Sequence, residues 1–399
     1  MTENQFDIFI DRSKSSSAKW EMTHKYGEDI IPMSVADMDL SAPRKMIEYL
    51  SRQNNVGIYG YTILPDNYYD IVRKYIFRHY NYKTTNDSIL FCPRIIQAIS
   101  IYIKEFTSKN DRICILTPSY SPIIDAITLN ERYAEKCELV YHKGNYSIDF
   151  HKLEKCFKIS KAFILISPHN PTGIVWSYNE LQKISQLAEK YRVFILSDDV
   201  HADFDFSDNK HIIISTLSKY IENNSIICTS PAKTFNIPGL EISNLIIYNN
   251  NVRTKFQKCM QALGMHNPNF FSIPAINIAY QYCDEWLESL KHYIYQNKIL
   301  VREFFNQNIP QLEIANSEGT YLVWINYSKL HINEEKLKHW FIDLSHIEVS
   351  WGSNFGVKDL PFFRMNIAMP RSLLEECLDK IKNGLTLLIQ EEINYEYAQ

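Results

Sequence analysis

Between residues 88 and 248 short apolar runs alternate with longer stretches in which apolar residues recur every three or four positions. The runs "SILF" (88–91), "RICIL" (112–116), "KAFILIS" (161–167), "VFILS" (193–197), "SIIC" (225–228) and "SNLIIY" (243–248) predict strands. Apolar and polar residues do not alternate along them, so both faces of each strand should be covered, as in a mainly parallel sheet between helices. Helical spacing predicts helices over 94–106, 122–130 and 177–191, and in the stretch from Asp66, at Tyr68, Ile71, Val72, Tyr75 and Ile76. Ser177 with Glu180 forms a capping-box signature at the start of the third.

After about residue 280 the pattern changes. A long helix over 275–307 is followed by a strand at 320–326, a helix near 333–344, a strand at 362–368 and a final helix from Ser372. The reading is an α/β protein with a large domain over 51–280 and a smaller α+β domain over 281–399. Residues 1–50 read as an irregular segment that joins the smaller domain.

Composition narrows the function classes. With 45% hydrophobic and 22% charged residues in 399, the chain reads as globular, and its formal charge of −4 offers no attraction to nucleic acid or an anionic membrane. No apolar run approaches the roughly 18 residues of a membrane helix. The N-terminus lacks a basic start followed by an apolar stretch, so a cytoplasmic location is expected. Eight cysteines are scattered without a C-x-x-C pair, which reads as reduced core thiols rather than a metal site.

In doubly wound sheets ligands sit at the C-terminal ends of strands. Tyr120, Asn170, Asp198 and Lys233 each follow or end a different predicted strand. If those strands are neighbours, the four converge on one crevice. A buried Asp198 needs a cationic partner or it will protonate. Two arrangements satisfy that need. Asp198 and Lys233 could form a structural ion pair, or a cofactor with a positive nitrogen and an aldehyde could lie between them. Pyridoxal phosphate has both groups, and its phosphate would find donors at the start of the helix opening "RIIQAIS".

The blocks "SPHNPTG" (167–173), "SDDVH" (197–201) and "SPAKTFNIPGL" (230–240) resemble the signatures of the class I/II aminotransferase superfamily of pyridoxal-phosphate fold type I. The segments "IPMSVADMD" (31–39), "YGYT" (59–62), "PSYSP" (118–122), "EGTYLVW" (318–324) and "FFRMNIAMPR" (362–371) resemble its cystathionine β-lyase branch, the C–S lyases. The resemblance implies a seven-stranded large-domain sheet and pyridoxal 5'-phosphate on Lys233, which would also move the Cα proton. It implies Asp198 at the pyridine nitrogen, Asn170 at the ring hydroxyl with His201 close by, and Tyr120 stacked on the ring. The backbone of Ile95 and Ile96 and the hydroxyl of Ser230 would bind phosphate. Tyr61 would reach the phosphate of a second subunit, making a homodimer, and Arg364 would clamp the substrate carboxylate.

Three places depart from the family pattern. Ser34 stands where the family usually has tryptophan. "PRII" replaces Pro-Gly-Val-Val, putting Arg94 at a glycine position where a positive φ would strain it and where its charge could turn toward phosphate or substrate. Asp199 takes the place of the usual glutamate and reads as a structural partner. Three functions follow from the resemblance. The first is a β-lyase cleaving cystathionine or another S-substituted cysteine to thiol, pyruvate and ammonia. The second is an aminotransferase using the same early steps, and the third a regulatory protein that keeps the fold without the chemistry.

Overall fold

A computed structural model describes residues 5–207 and 211–397. The chain divides into two compact units. The larger comprises Ala42–Ser289 with Ser317–Thr320, and the smaller the residues up to Ser41, Leu290–Asn316 and those from Tyr321 onward.

The larger unit is built on seven strands: β1 (Ile89–Cys92), β2 (Arg112–Thr117), β3 (Tyr133–Glu138), β4 (Ser160–Ile166), β5 (Phe194–Asp198), β6 (Ser225–Thr229) and β7 (Ser243–Ile246). Their order is β1-β7-β6-β5-β4-β2-β3. The pairs from β6 through β3 are parallel, whereas β7 runs antiparallel to both β1 and β6. Central strands such as β6 are buried at every position, which is why they read as unbroken apolar runs. The edge strand β3, "YAEKCE", buries only Cys137 and carries no apolar run, so sequence patterning passes it over. Ser177 caps the helix Tyr178–Tyr191 in a complete capping box with Glu180.

Two expectations are corrected here. The end of the 1–50 segment is not irregular: Arg44–Asn54 is a helix, with Met46 as its buried residue. The single helix over 275–307 is two, Ser272–Tyr282 and Asp284–Asn308, separated at Cys283.

The smaller unit carries a four-stranded antiparallel sheet of β8 (Glu313–Ile314), β9 (Leu322–Asn326), β10 (Ser350–Trp351) and β11 (Phe362–Asn366), in the order β8-β9-β11-β10. The side chains of Val301, Phe305, Trp340, Phe341, Phe363 and Ile381 are buried in its core. The short strand Ile31–Pro32 pairs in parallel with Ile347–Glu348.

Candidate active site

Strands β6, β5, β4 and β2 are consecutive neighbours in the sheet and mutually parallel. Their C-terminal ends therefore lie side by side, and the condition set by the sequence is met. Tyr120 stands three residues beyond the end of β2, Asn170 four beyond β4, Asp198 ends β5, and Lys233 lies four beyond β6.

Each loop is held by its own bonds. After β4, the Ser167 amide donates to the Asp198 carbonyl (3.0 Å) and prolongs the ladder past the strand. The loop then closes on itself: Gly173 N–H donates to His169 O (2.6 Å) and His169 N–H to Ile174 O (2.8 Å). Gly173 has φ +71°, and a Cβ there would stand 2.6 Å from Ser317 Oγ, so conformation and space both demand glycine. Burial drives the His169 imidazole down to about 3, so that ring stays neutral. Asn170 itself is buried within this loop.

Asp198 is buried, and desolvation raises its carboxyl to about 7. A hydrogen bond from the Val200 amide (3.2 Å) and the positive charge of Lys233 pull the other way, while Asp199 pushes it further up. The next carboxylate, Asp199, is committed elsewhere: His211 Nε2 lies 2.6 Å from its Oδ1, both side chains nearly fully buried. His201 is buried at the start of the short helix Ala202–Phe204.

Lys233 rides on a single helical turn, Pro231–Thr234, and is half-buried. Ser230 caps that turn, accepting from Ala232 N–H (3.0 Å) and donating its own proton to Ile242 O (2.6 Å). The Ser230 hydroxyl thus shapes the Lys233 turn and spends its proton on the chain. Ile95 opens the helix Ile95–Phe106, whose N-cap residue, Arg94, makes no side-chain capping bond to the first turn. Tyr120 occupies the N-cap position of the helix Ser121–Leu129, with 39% of its surface exposed at the strand ends. Sequence reasoning did not single out Thr117, Ser119 and Ser197. Their hydroxyls are buried at these same strand ends without a hydrogen-bond partner among the described residues. The polar residues of "TPSYSP" and "SDD" are the signal that could have found them.

The family model described as aminotransferase class I and II matches residues 28–381. The chain belongs to the class I and II aminotransferase family. It is 31% identical to the cystathionine beta-lyase PatB of Bacillus subtilis (strain 168), over 96% of this chain and 100% of that protein. The fold matches cystalysin from Treponema denticola, whose structure contains a pyridoxal 5'-phosphate cofactor, with a TM-score of 0.93 and 33% identity over 96% of this chain and 99% of that one. It also matches a PLP-bound protein of Clostridium difficile 630 described as an aminotransferase, with a TM-score of 0.92 and 36% identity over 95% of this chain and 99% of that one.

The sequence singles out three further positions. Arg94 does not need a positive φ: it is extended, with φ −140° and ψ 141°, and its guanidinium pairs with Glu241. Tyr61 is 99% exposed, in a stretch where Ile58, Tyr59 and Ile63 are exposed as well. In the smaller unit, Arg364 on β11 is 5% exposed. Its Nη2 donates to Ser34 O (2.7 Å) and Ser350 Oγ (3.1 Å), and its guanidinium lies 5.1 Å from the Phe355 ring centroid. The arginine is held by the backbone of Ser34, so this bond does not depend on which side chain stands at position 34. Ser34 stands beside Glu348, a residue the sequence reading did not single out, whose carboxyl burial raises to about 7.

Proposed function

We propose that this chain is a pyridoxal-phosphate-dependent C–S β-lyase that cleaves an S-substituted cysteine to a thiol, pyruvate and ammonia. One observation carries the reading: Lys233, Asp198, Asn170 and Tyr120 stand at the C-terminal ends of four adjacent parallel strands. The donor set fits the cofactor. A buried carboxyl poised near 7 is the group that a pyridinium would ionise. The three unpartnered hydroxyls at the strand ends are polar groups of the kind a polar ligand satisfies. The uncapped start of the helix at Ile95 is a place for a phosphate.

When bound, the cofactor draws electrons from the substrate Cα, which lets the Cα–H and then the Cβ–S bond break. In this reading Lys233 tethers the cofactor through its ε-amine and, once released, takes the Cα proton. Asp198 would keep a proton on the ring nitrogen by facing it as a carboxylate, an ion pair that offsets the cost of burying its charge. Asn170 and Tyr120 orient the ring, with His201 beside them. The amides of Ile95 and Ile96 receive the phosphate, and Ser230 supports them by shaping the Lys233 turn. Arg364 takes the substrate carboxylate. Tyr61 belongs to the site of a second copy of the chain, because a tyrosine fully exposed among apolar residues fits an interface. A reducing compartment such as the cytoplasm suits eight free cysteines, seven of them buried.

An aminotransferase is the second reading, favoured by the description of the family model and by the protein of Clostridium difficile 630. Incubation of the purified protein with S-substituted cysteines tests both. Pyruvate released without any added keto acid supports the lyase, and turnover that depends on a keto acid supports transfer.

A further inference from the structure

The turn that carries Lys233 has four residues, Pro231–Thr234. A single turn has too few internal hydrogen bonds to fix itself, so its direction depends on side-chain anchors at its ends. Ser230 is the anchor at the front. The anchor at the back is Thr234, whose Oγ1 donates to Asp203 Oδ2 at 2.6 Å. Asp203 in turn accepts from Tyr75 OH (2.9 Å) and Tyr80 OH (2.6 Å), both on the helix Tyr68–Tyr80. Its side chain is only 4% exposed, and among the described residues its nearest cationic candidate is His79, whose Nδ1 lies 3.7 Å away. Three hydroxyls thus converge on one buried carboxylate. Such bonds to a charged acceptor are short and about twice as strong as neutral ones.

The same assembly reaches the other side of the site. The Tyr80 ring meets His211 edge-on at 5.7 Å, and His211 holds Asp199, the residue after Asp198. The sequence neighbours of Asp198 and Lys233, Asp199 and Thr234, are thus each held by a buried side chain, His211 and Asp203.

We propose that Asp203 is a positioning residue that sets the place of the Lys233 ε-amine through Thr234. The inference rests on Lys233 being the cofactor lysine. Asp203→Asn would replace one acceptor oxygen by a donor facing hydroxyl donors, and that variant can fail to fold. Thr234→Val is the same size and removes only the link. Tyr68→Phe serves as the control, since it deletes a buried hydroxyl of the same helix that points instead to Asn244 (2.5 Å).

Each holoenzyme is read in three ways: the pH midpoint of the cofactor's visible absorbance, kcat and KM on S-ethylcysteine, and Tm. Thr234→Val should move the midpoint and lower kcat by about 10- to 100-fold, the scale of a misplaced reacting group, with KM changed far less. Thr234→Ser should restore both. Tyr68→Phe should lower Tm and leave the midpoint in place. A Thr234→Val holoenzyme with the wild-type midpoint and kcat overturns the inference, as does a Tyr68→Phe midpoint displaced as far as that of Thr234→Val. If wild-type protein carries no cofactor on Lys233, the functional reading itself has failed, which is a different result.

Discussion

Asp198 and Cys228 are register partners in the adjacent parallel strands β5 and β6. That pairing puts the site's carboxyl one strand away from the turn bearing Lys233. The two groups stand at neighbouring strand ends because the sheet order places them there, although 35 positions separate 198 from 233 in the chain.

Asp198 should make the cofactor-free protein sensitive to pH. Its folded-state value of about 7 lies above the unfolded 3.8, so the folded chain keeps a proton that the unfolded chain has lost. Stability should therefore fall as pH rises from about 4 to about 7 and level off above that, by at most about 4 kcal/mol. Asp198→Asn should remove this fall, making the cofactor-free variant more stable than wild type at pH 8 while abolishing turnover. Denaturant titrations across this pH range check it, and parallel curves for the two proteins would contradict it.

Arg364→Ala should raise KM with smaller change in kcat, because a charge-assisted pair lost from a buried site costs roughly 2–5 kcal/mol. Steady-state kinetics on a cysteine thioether check it. An unchanged KM would mean that the carboxylate binds elsewhere.

Much of this site was legible in the sequence because buried parallel strands announce themselves as apolar runs, and a polar residue just beyond such a run is conspicuous. What stayed hidden has physical causes. Strand β3 buries one residue of six, so no pattern marks it. Arg44–Asn54 does carry helical spacing at Met46, Tyr49 and Leu50, but the stripe spans barely one turn and buries only Met46, so it is easily lost after the irregular residues before it. The backbone of Arg94 could not be read, since its partner Glu241 is far away in the chain. Asp203 carries no mark of its role in "HADFDF", because the hydroxyls it gathers come from Tyr75, Tyr80 and Thr234, all distant in the chain.

Gly173→Ala should be disruptive out of proportion to one methyl group. The residue must adopt φ +71° and its Cβ would stand 2.7 Å from Ser317 Cβ. An alanine forced to positive φ costs more than about 1 kcal/mol before any clash is counted. Thermal melts should show a clear drop in Tm with loss of turnover. A Tm equal to wild type would mean that the loop around Asn170 is looser than its hydrogen bonds indicate.

The exposed stretch around Tyr61 predicts a dimer in solution. Ile63→Asp should shift the sedimentation profile toward monomer and weaken cofactor retention on dialysis. Tyr61→Phe should keep the dimer and weaken retention alone. A wild-type protein that sediments as a monomer with full cofactor content would refute the assignment of Tyr61 to a second copy's site.

The chemistry of this site turns on what is attached to Lys233. Reduction of the purified protein with borohydride, followed by peptide mass spectrometry, should find a phosphopyridoxyl group on the Lys233 side chain and on no other lysine. An unmodified Lys233 peptide, or the adduct on a different residue, would contradict it.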